Sequence, residues 1–361
     1  MKVRGLGAML GVLLLSAGSG AASAALPTPH PPRLVHFVGG PPSVGPPQWV
    51  DALAPLPPDN AAALIGYENP PGSGRLWWLN LATRRWTPGP VLGEGGLAPL
   101  GSRVVFCGTV EGRPSIILVD RPKMGRGVAR PLALVPAWAT SLTAPTTYDG
   151  TVYVGVNGSG RSELWALTKR GLQFHWRVAG RVTAVAAGPG GVAWVAEGPS
   201  GLTVRSPDGQ TRHWALPAVP TAVALLQQRV VALLHQPTDP VGAASLMAVV
   251  NDGRLTYAGT PDPLFPGWRA PWAGAFTAVA PARSDAVWGV SYRIEPAELL
   301  VTRLSLPWGP TTYLGGVRRA NRLSVLPPNF PLVVTARRVL VGIGNHILIA
   351  NRPAPTVAPG P

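Results

Sequence analysis

Short apolar segments recur along this chain, and turn residues separate them. The tetrapeptide Thr-Ala-Val-Ala occurs at residues 183–186, 221–224 and 277–280, and each copy precedes a turn and a second apolar segment. Successive third segments begin 38 to 53 residues apart. Aligning outward from the tetrapeptides gives seven second strands, at residues 62–67, 103–108, 151–156, 192–197, 229–235, 286–292 and 338–343. The pattern predicts an internal repeat built from β-strands.

A fourth strand completes most repeats and often carries an aromatic residue: Trp86, Trp176, Trp214, Tyr257 and Tyr313. Asp-Gly turns at 149–150, 208–209 and 252–253 suit the positive φ angles of tight hairpins. Four short strands every ~40–50 residues are typical of a β-propeller blade. We therefore predict an all-β fold, a seven-bladed β-propeller of four-stranded antiparallel blades. An open β-sandwich does not fit about 28 strands in equal groups.

The two ends of the repeat array predict how the ring closes. The last repeat has no fourth strand, because only proline and small residues follow Asn351. An unassigned strand at residues 33–38 supplies that missing outer edge and removes two exposed edges. The inner Thr-Ala-Val-Ala strands crowd around the axis, so we also expect Ala184, Ala222 and Ala278 to be buried.

The N-terminus indicates export. Lys2 and Arg4 precede an apolar run at residues 6–15, and small residues end at Ala24, which is the order of a secretory signal peptide. The alternative is a retained N-terminal anchor, but the run is shorter than the ~20 residues of a membrane span. The predicted organisation is a signal peptide at 1–24, a proline-rich tail at 25–32, one propeller domain at 33–351 and a proline-rich tail at 352–361. The expected location is extracytoplasmic, secreted or periplasmic, with no transmembrane span after cleavage.

Composition restricts the function. The chain has 44 Gly, 43 Pro, a 46% hydrophobic fraction, one cysteine and a formal net charge of +15. The apolar content argues against a disordered chain, and a single cysteine allows no intrachain disulfide. Basic proteins often bind nucleic acid, but export makes anionic envelope polymers the more accessible partners. We expect a monomer that binds an envelope polysaccharide or a protein partner and no nucleic acid.

One repeat resembles a known propeller family. Residues 149–155 read Asp-Gly-Thr-Val-Tyr-Val-Gly, and Ala166 and Trp176 lie ten residues apart. This segment resembles the quinoprotein-like repeat with its tryptophan-docking motif, and residues 206–211 resemble a TolB-type repeat or a degraded Asp box. The chain is thus similar to the seven-bladed propeller superfamily of quinoprotein-like, YVTN and TolB-type repeats. Thr168 stands where the docking motif has Asp, and one repeat of seven shows the pattern, so the resemblance implies no quinone and we expect no cofactor.

Candidate ligand-binding residues come from the loops that join the fourth strand to the next blade and the second strand to the third. The loop 261–275 is the largest departure from the repeat. Other rim candidates are eight carboxylates and five arginines: Glu68, Glu94, Glu111, Glu163, Glu197, Asp239, Glu295, Glu298, Arg75, Arg161, Arg181, Arg318 and Arg319. The predicted ligand-binding residues are Trp49, Trp138, Trp268, Arg269, Trp272 and Arg293. Aromatic rings and guanidinium groups suit a glycan or a peptide, although such tryptophans can equally pack within their own loops.

Catalytic motifs are absent from the sequence. It contains no Gly-x-Ser-x-Gly elbow, Walker loop or dinucleotide fingerprint, and its six His residues show no zinc-ligand spacing. Catalytic residues are therefore unassigned and no metal site is expected. The predicted function is a non-catalytic binding or scaffold module for an anionic or carbohydrate-rich envelope ligand. The alternative is a lyase or hydrolase of an envelope polysaccharide or lactone that uses rim carboxylates and arginines; two acidic or His groups converging at the channel mouth would favour it.

Overall fold

The computed structural model describes residues 35–38, 40–41, 48–67, 73–121, 127–236, 244–259, 275–283, 285–293, 298–306, 311–318, 330–335, 337–344 and 346–351. The predicted signal peptide and both proline-rich tails lie outside the described residues. So do Trp268, Arg269 and Trp272.

The described residues form 29 strands and no helix, arranged in seven antiparallel sheets. Blade 1 comprises β2 (Gln48–Leu56), β3 (Asn60–Tyr67), β4 (Ser73–Asn80) and β5 (Arg85–Val91). Blade 2 comprises β6 (Glu94–Leu100), β7 (Arg103–Val110), β8 (Arg113–Val119) and β9 (Ala129–Ala133). Blade 3 comprises β10 (Ala139–Leu142), β11 (Thr146–Tyr148), β12 (Thr151–Gly158), β13 (Arg161–Thr168) and β14 (Gly171–Val178). In blade 3, β10 and β11 share the innermost position, because both pair with β12.

The remaining blades follow the same plan. Blade 4 comprises β15 (Arg181–Gly188), β16 (Gly191–Glu197), β17 (Gly201–Arg205) and β18 (Thr211–Ala215). Blade 5 comprises β19 (Val219–Leu225), β20 (Arg229–His235), β21 (Leu246–Asn251) and β22 (Arg254–Gly259). Blade 6 comprises β23 (Ala275–Arg283), β24 (Ala286–Arg293), β25 (Glu298–Ser305) and β26 (Thr311–Arg318). Blade 7 comprises β27 (Leu332–Val334), β28 (Arg338–Ile343) and β29 (His346–Asn351), with β1 (Val35–Val38) beside β29. The predicted fold class, a seven-bladed propeller of four-stranded blades, is confirmed.

The core is divided among the blade interfaces. Each of seven clusters of buried apolar side chains joins one sheet to the next, from the first pair of blades to the pair formed by the last and the first. Between blades 7 and 1, for example, Leu340 and Ile347 pack with Ile65 and Trp77. Burial of such side chains contributes roughly 1.5–3 kcal/mol each. The blades are therefore held face to face, and their inner edges surround the axis.

The inner strands run in a common direction. Thr183, near the start of β15, donates a hydrogen bond of 2.7 Å to the carbonyl of Pro220, near the start of β19. At the other end, Gly188 lies against Leu225, since a Cβ atom on the glycine would be 3.4 Å from the leucine carbonyl oxygen. All the inner strands therefore begin at one end of the ring, which we call the mouth.

The expected burial of the Thr-Ala-Val-Ala alanines is wrong. Ala184, Ala222 and Ala278 are half-buried. Ala184 and Ala222 pack against the clusters of the next blade, but the innermost strand also borders the axial channel. One side of each methyl group therefore stays accessible.

The last blade meets the first through polar contacts as well as apolar ones. The Val50 amide donates to the Gly344 carbonyl at 2.7 Å, and the guanidinium of Arg338 lies 3.2 Å from the Asp59 carboxylate. In addition, β1 pairs antiparallel with β29, with Val35 opposite Ala350 and Val38 opposite Ile347. Whether the ring depends on this strand stays a prediction, which truncation tests.

Candidate functional site

β-Bulges shape the mouth. Among the described inner strands, β2, β10, β15, β19 and β23 each carry a register shift near their start. Bulges re-aim side chains and are common next to functional sites. In four of these strands the bulged residue is a threonine whose Oγ1 lies 3.2–3.4 Å from a carbonyl oxygen of the second strand: Thr140, Thr183, Thr221 and Thr277. The mouth is therefore lined by a repeated hydroxyl position.

Blade 1 departs from this pattern. Asp51 occupies the bulge of β2, between Val50 and Ala52. The side chain of Trp49 hydrogen-bonds the Asp51 carboxyl, but no described residue is a partner for its buried Oδ2 atom. Gly66 lies against both side chains, because a Cβ atom there would collide with Asp51 Oδ2 and would be 2.8 Å from Trp49 Nε1. The absence of a side chain at Gly66 therefore leaves room for the Asp51 carboxyl beside the Trp49 indole. We call this group of side chains the acidic corner.

Burial changes the protonation of this corner. Removal from water raises the pKa of Asp51 to about 7, the Trp49 hydrogen bond opposes the shift, and the negative charge of Glu94 adds to it. Glu94 is exposed at the start of β6 in blade 2. By register, the carbonyl equivalent to the threonine acceptors belongs to Leu64. A protonated carboxyl can donate to such an acceptor as a hydroxyl does, whereas a carboxylate cannot.

A second group of contacts lies on the rim of blade 3. The guanidinium carbon of Arg161 lies 4.6 Å from the ring centroid of Trp138. Arg161 Nε also donates to buried Glu163 at 3.0 Å, and Trp165 Nε1 donates to the same carboxylate at 2.8 Å. Burial opposes ionisation of Glu163, but the hydrogen bonds from Trp165 and Arg161 outweigh it and lower the pKa. Trp138 is thus engaged within its own blade.

An open cleft of about 340 Å³ crosses the mouth between blades 3, 4 and 5. It spans the end of β10, the starts of β15 and β19 and the ends of β12 and β16. Its lining is Ser141, Leu142, Thr143, Asn157, Arg181, Val182, Thr183, Glu197, Val219, Pro220 and Thr221. Arg181 Nη1 lies 3.1 Å from Glu197 Oε1, with the two side chains 62% and 34% exposed. The cleft therefore combines hydroxyl groups with one accessible ion pair.

The predicted ligand-binding residues lie in different places. Trp49 is half-buried in the acidic corner of blade 1, and Trp138 is half-buried at the entrance to blade 3. Arg293 ends β24 opposite Glu298. These residues belong to three blades, and the ligand-binding role of each remains a prediction.

The rim candidates Arg181 and Glu197 come together, but the sequence analysis missed Asp51. Arg181 starts β15 and Glu197 ends β16, and the strand register places them opposite each other. Asp51 could have been found by aligning Asp51-Ala52-Leu53-Ala54 with Thr-Ala-Val-Ala, since the carboxyl replaces the repeated hydroxyl.

In the part of the chain that the structure describes, no group of three or more His, Cys, Asp or Glu side chains could hold a metal ion. No described helix is long and apolar enough to cross a membrane.

Comparison with known proteins identifies the fold. No protein-family model and no curated protein matches the sequence, whereas 432 solved chains match the structure. A putative 6-phosphogluconolactonase from Bacteroides uniformis is 14% identical, with 78% of this chain and 88% of that chain covered and a TM-score of 0.53. Saccharomyces cerevisiae Sqt1 is 10% identical over 87% of this chain and 100% of that chain, with a TM-score of 0.51.

A third similar structure is Kuenenia stuttgartiensis hydrazine synthase, which is 9% identical over 86% of this chain and 98% of that chain, with a TM-score of 0.54. Identities this low establish a common fold and leave activity open. The chain is a seven-bladed β-propeller, the fold that the repeat pattern predicts.

Proposed function

We propose that this protein is an exported binding module that engages an envelope polymer at the mouth of its ring. The observation that carries the proposal is the open cleft across the inner strands of blades 3, 4 and 5, lined by hydroxyl groups and the Arg181–Glu197 pair. Concave sites with a few polar groups on a rigid scaffold are typical of ligand recognition. The basic charge of +15 favours contact with an anionic or carbohydrate-rich surface.

Export has its own test. Cleavage after Ala24 predicts that the mature protein begins at Ala25. The expected result is that N-terminal sequencing of protein recovered from outside the cytoplasm finds this start. Recovery of the uncleaved chain in the cytoplasm would contradict export.

Binding is tested by capture on immobilised envelope polymers at low and high salt. The wild-type chain is compared with Trp268→Ala/Arg269→Ala/Trp272→Ala, which changes the predicted loop. We expect the triple variant to be captured less, and the electrostatic part of binding to weaken with salt because exposed charges are screened within ~10 Å at 0.1 M. Equal capture of the two folded proteins would assign these residues to loop packing. No capture of the wild type on any polymer would refute the binding module.

An enzyme is the second candidate, and the acidic corner favours it. Asp51, with a pKa near 7, lies close enough to Glu94 for their charges to interact, and a carboxyl with such a pKa can act as a general acid near neutral pH. Lactones and polysaccharides are the substrates to screen. Turnover that Asp51→Asn abolishes, while thermal unfolding is unchanged, would support a hydrolase or lyase. Absence of turnover, or turnover unaffected by Asp51→Asn and Glu94→Gln, would exclude this corner as the active site.

A further inference from the structure

The polar groups that line the cleft between blades 3, 4 and 5 form two sets. One set, the base, is hydrogen-bonded within the protein, and the other, the rim of the cleft, keeps hydrogen-bonding capacity for a ligand. In the base, the Asn157 side chain accepts from the Val182 amide and donates to the Val182 carbonyl, both at 2.9 Å. Thr183 Oγ1 donates to the Pro220 carbonyl at 2.7 Å, and Thr143 Oγ1 accepts from the Gly155 amide at 2.8 Å. These bonds connect the three blades, so the base is rigid and its polar groups are already satisfied.

The rim keeps hydrogen-bonding capacity for a ligand. A guanidinium carries five N–H donors, and among the described residues Arg181 makes one side-chain hydrogen bond, from Nη1 to Glu197 Oε1. Glu197 retains its second oxygen as an acceptor. Ser141 has no hydrogen-bond partner among the described residues. The cleft therefore offers both donors and acceptors to a ligand.

An exposed apolar side chain also lines the cleft. Val219 at the start of β19 is 41% exposed although it is a large aliphatic residue, whereas Pro220, which follows it, is buried. Neither side chain offers a hydrogen bond. A ligand that fits this lining needs hydroxyl groups on one edge and C–H groups on a face.

Charge decides between neutral and ionic ligands. The Arg181 and Glu197 charges are adjacent and of opposite sign, so a carboxylate or phosphate ligand would meet the glutamate and an amine would meet the arginine. A neutral hydroxyl both accepts from a guanidinium and donates to a carboxylate. The volume of about 340 Å³ lies near the lower end of the ~300–1,000 Å³ of small-molecule sites. Because the cleft is open, a longer chain can continue beyond one bound unit.

We propose that this cleft binds a sugar unit of a neutral polysaccharide, with Arg181 and Glu197 contacting adjacent hydroxyl groups and Val219 contacting the C–H face of the ring. The proposal rests on the proposed binding function and specifies its ligand. In this proposal, the basic surface charge outside the cleft plays no part in recognition of the sugar.

The test is affinity electrophoresis in native gels that contain dextran, a soluble β-glucan or galactomannan, with polygalacturonate as the anionic comparison. We expect a neutral polysaccharide to retard the wild type, and Arg181→Ala and Glu197→Gln each to weaken retardation at least tenfold. Retardation should change little between low and high salt. The matched controls are Arg103→Ala and Asp120→Asn, which break an exposed ion pair of 2.7 Å at the opposite end of the ring and should leave retardation unchanged. Thermal unfolding confirms that each variant is folded.

The outcomes separate this inference from the broader one. Unchanged retardation of folded Arg181→Ala and Glu197→Gln, or retardation by polygalacturonate alone, overturns the neutral-sugar site. A wild type that no neutral gel retards but that envelope polymers still capture also overturns it, while the binding module stands. A wild type that no polymer captures overturns both.

Discussion

At the scale of single residues, one substitution in a repeated position gives the mouth its asymmetry. Four bulged threonines hold their second strands through hydroxyl groups, and the same position in blade 1 holds a carboxyl. A threonine is neutral at every pH of interest, whereas Asp51 titrates. The difference links one side chain to the pH dependence of folding.

Asp51 should make the protein less stable as pH rises. Its pKa is raised from 3.8 to about 7 in the folded state, so the folded state binds the proton more tightly than the unfolded chain. The stabilising contribution is complete below about pH 4 and is lost as pH rises to about 7. At 1.36 kcal/mol per pKa unit, the loss is at most about 4 kcal/mol.

Urea unfolding of Asp51→Thr between pH 4 and pH 8 checks this. The variant should lack that part of the pH dependence and should be more stable than the wild type at pH 8. Asp252→Asn, which changes an exposed carboxyl in a hairpin turn, is the control. Parallel loss of stability in the wild type and Asp51→Thr would contradict the assignment.

At the scale of strands, an arginine at the start of a second strand can hydrogen-bond a backbone carbonyl of the next blade, a contact that we call the arginine clamp. Arg229 opens β20 and donates to the Leu306 carbonyl at 3.0 Å, and Arg338 opens β28 and donates to the Leu81 carbonyl at 3.0 Å. Both acceptors directly follow the third strand of the neighbouring blade. Arg103 opens β7 but pairs with Asp120 of its own blade. The arginine clamp therefore occurs at β20 and β28, whereas the arginine of β7 has a partner in its own blade.

Loss of the Arg338 clamp should loosen the junction between blades 7 and 1. Arg338→Ala leaves the Leu81 carbonyl and Asp59 without this partner, and such a loss costs about 1–3 kcal/mol. The expected result is a lower denaturation midpoint, partly recovered by Arg338→Lys, which keeps the charge but not the forked geometry. Arg337→Ala removes an exposed neighbour and serves as control. Equal midpoints for Arg337→Ala and Arg338→Ala would show that the contact is not stabilising.

The sequence predicted the strands well because their signals are local. The predicted second strands at 229–235 and 338–343 coincide with β20 and β28, and Asp149 and Gly150 have the positive φ angles expected of their turn. Contacts between blades carry no such signal. Arg338 and Leu81 are 257 residues apart. The charge interaction between Asp51 and Glu94 depends on how two sheets stack. The fold was thus predictable from the sequence. The acidic corner and the cleft could be identified only from the way in which the blades stack.

At the scale of the whole molecule, the ring closes where the last sheet meets the first. The apolar cluster of this junction contains Val38 of β1 together with Leu340, Ile347 and residues of blade 1. Without β1, the outer edge of β29 would present unpaired backbone groups and the cluster would lose a buried valine. Exposed strand edges promote association with other chains.

Deletion of residues 25–40 should therefore reduce both solubility and folding cooperativity. The deletion removes all four residue pairs between β1 and β29, and the exposed edge then favours aggregation. Deletion of residues 25–32 is the matched control, because it shortens the N-terminus and keeps β1. Thermal unfolding and size-exclusion chromatography compare the three proteins. The longer deletion is expected to unfold at lower temperature or elute as larger species, while the shorter one behaves like the parent. If the chain without residues 25–40 melts and elutes like the parent, the ring does not depend on its N-terminal strand, and the contacts of Arg338 and Val50 are sufficient for closure.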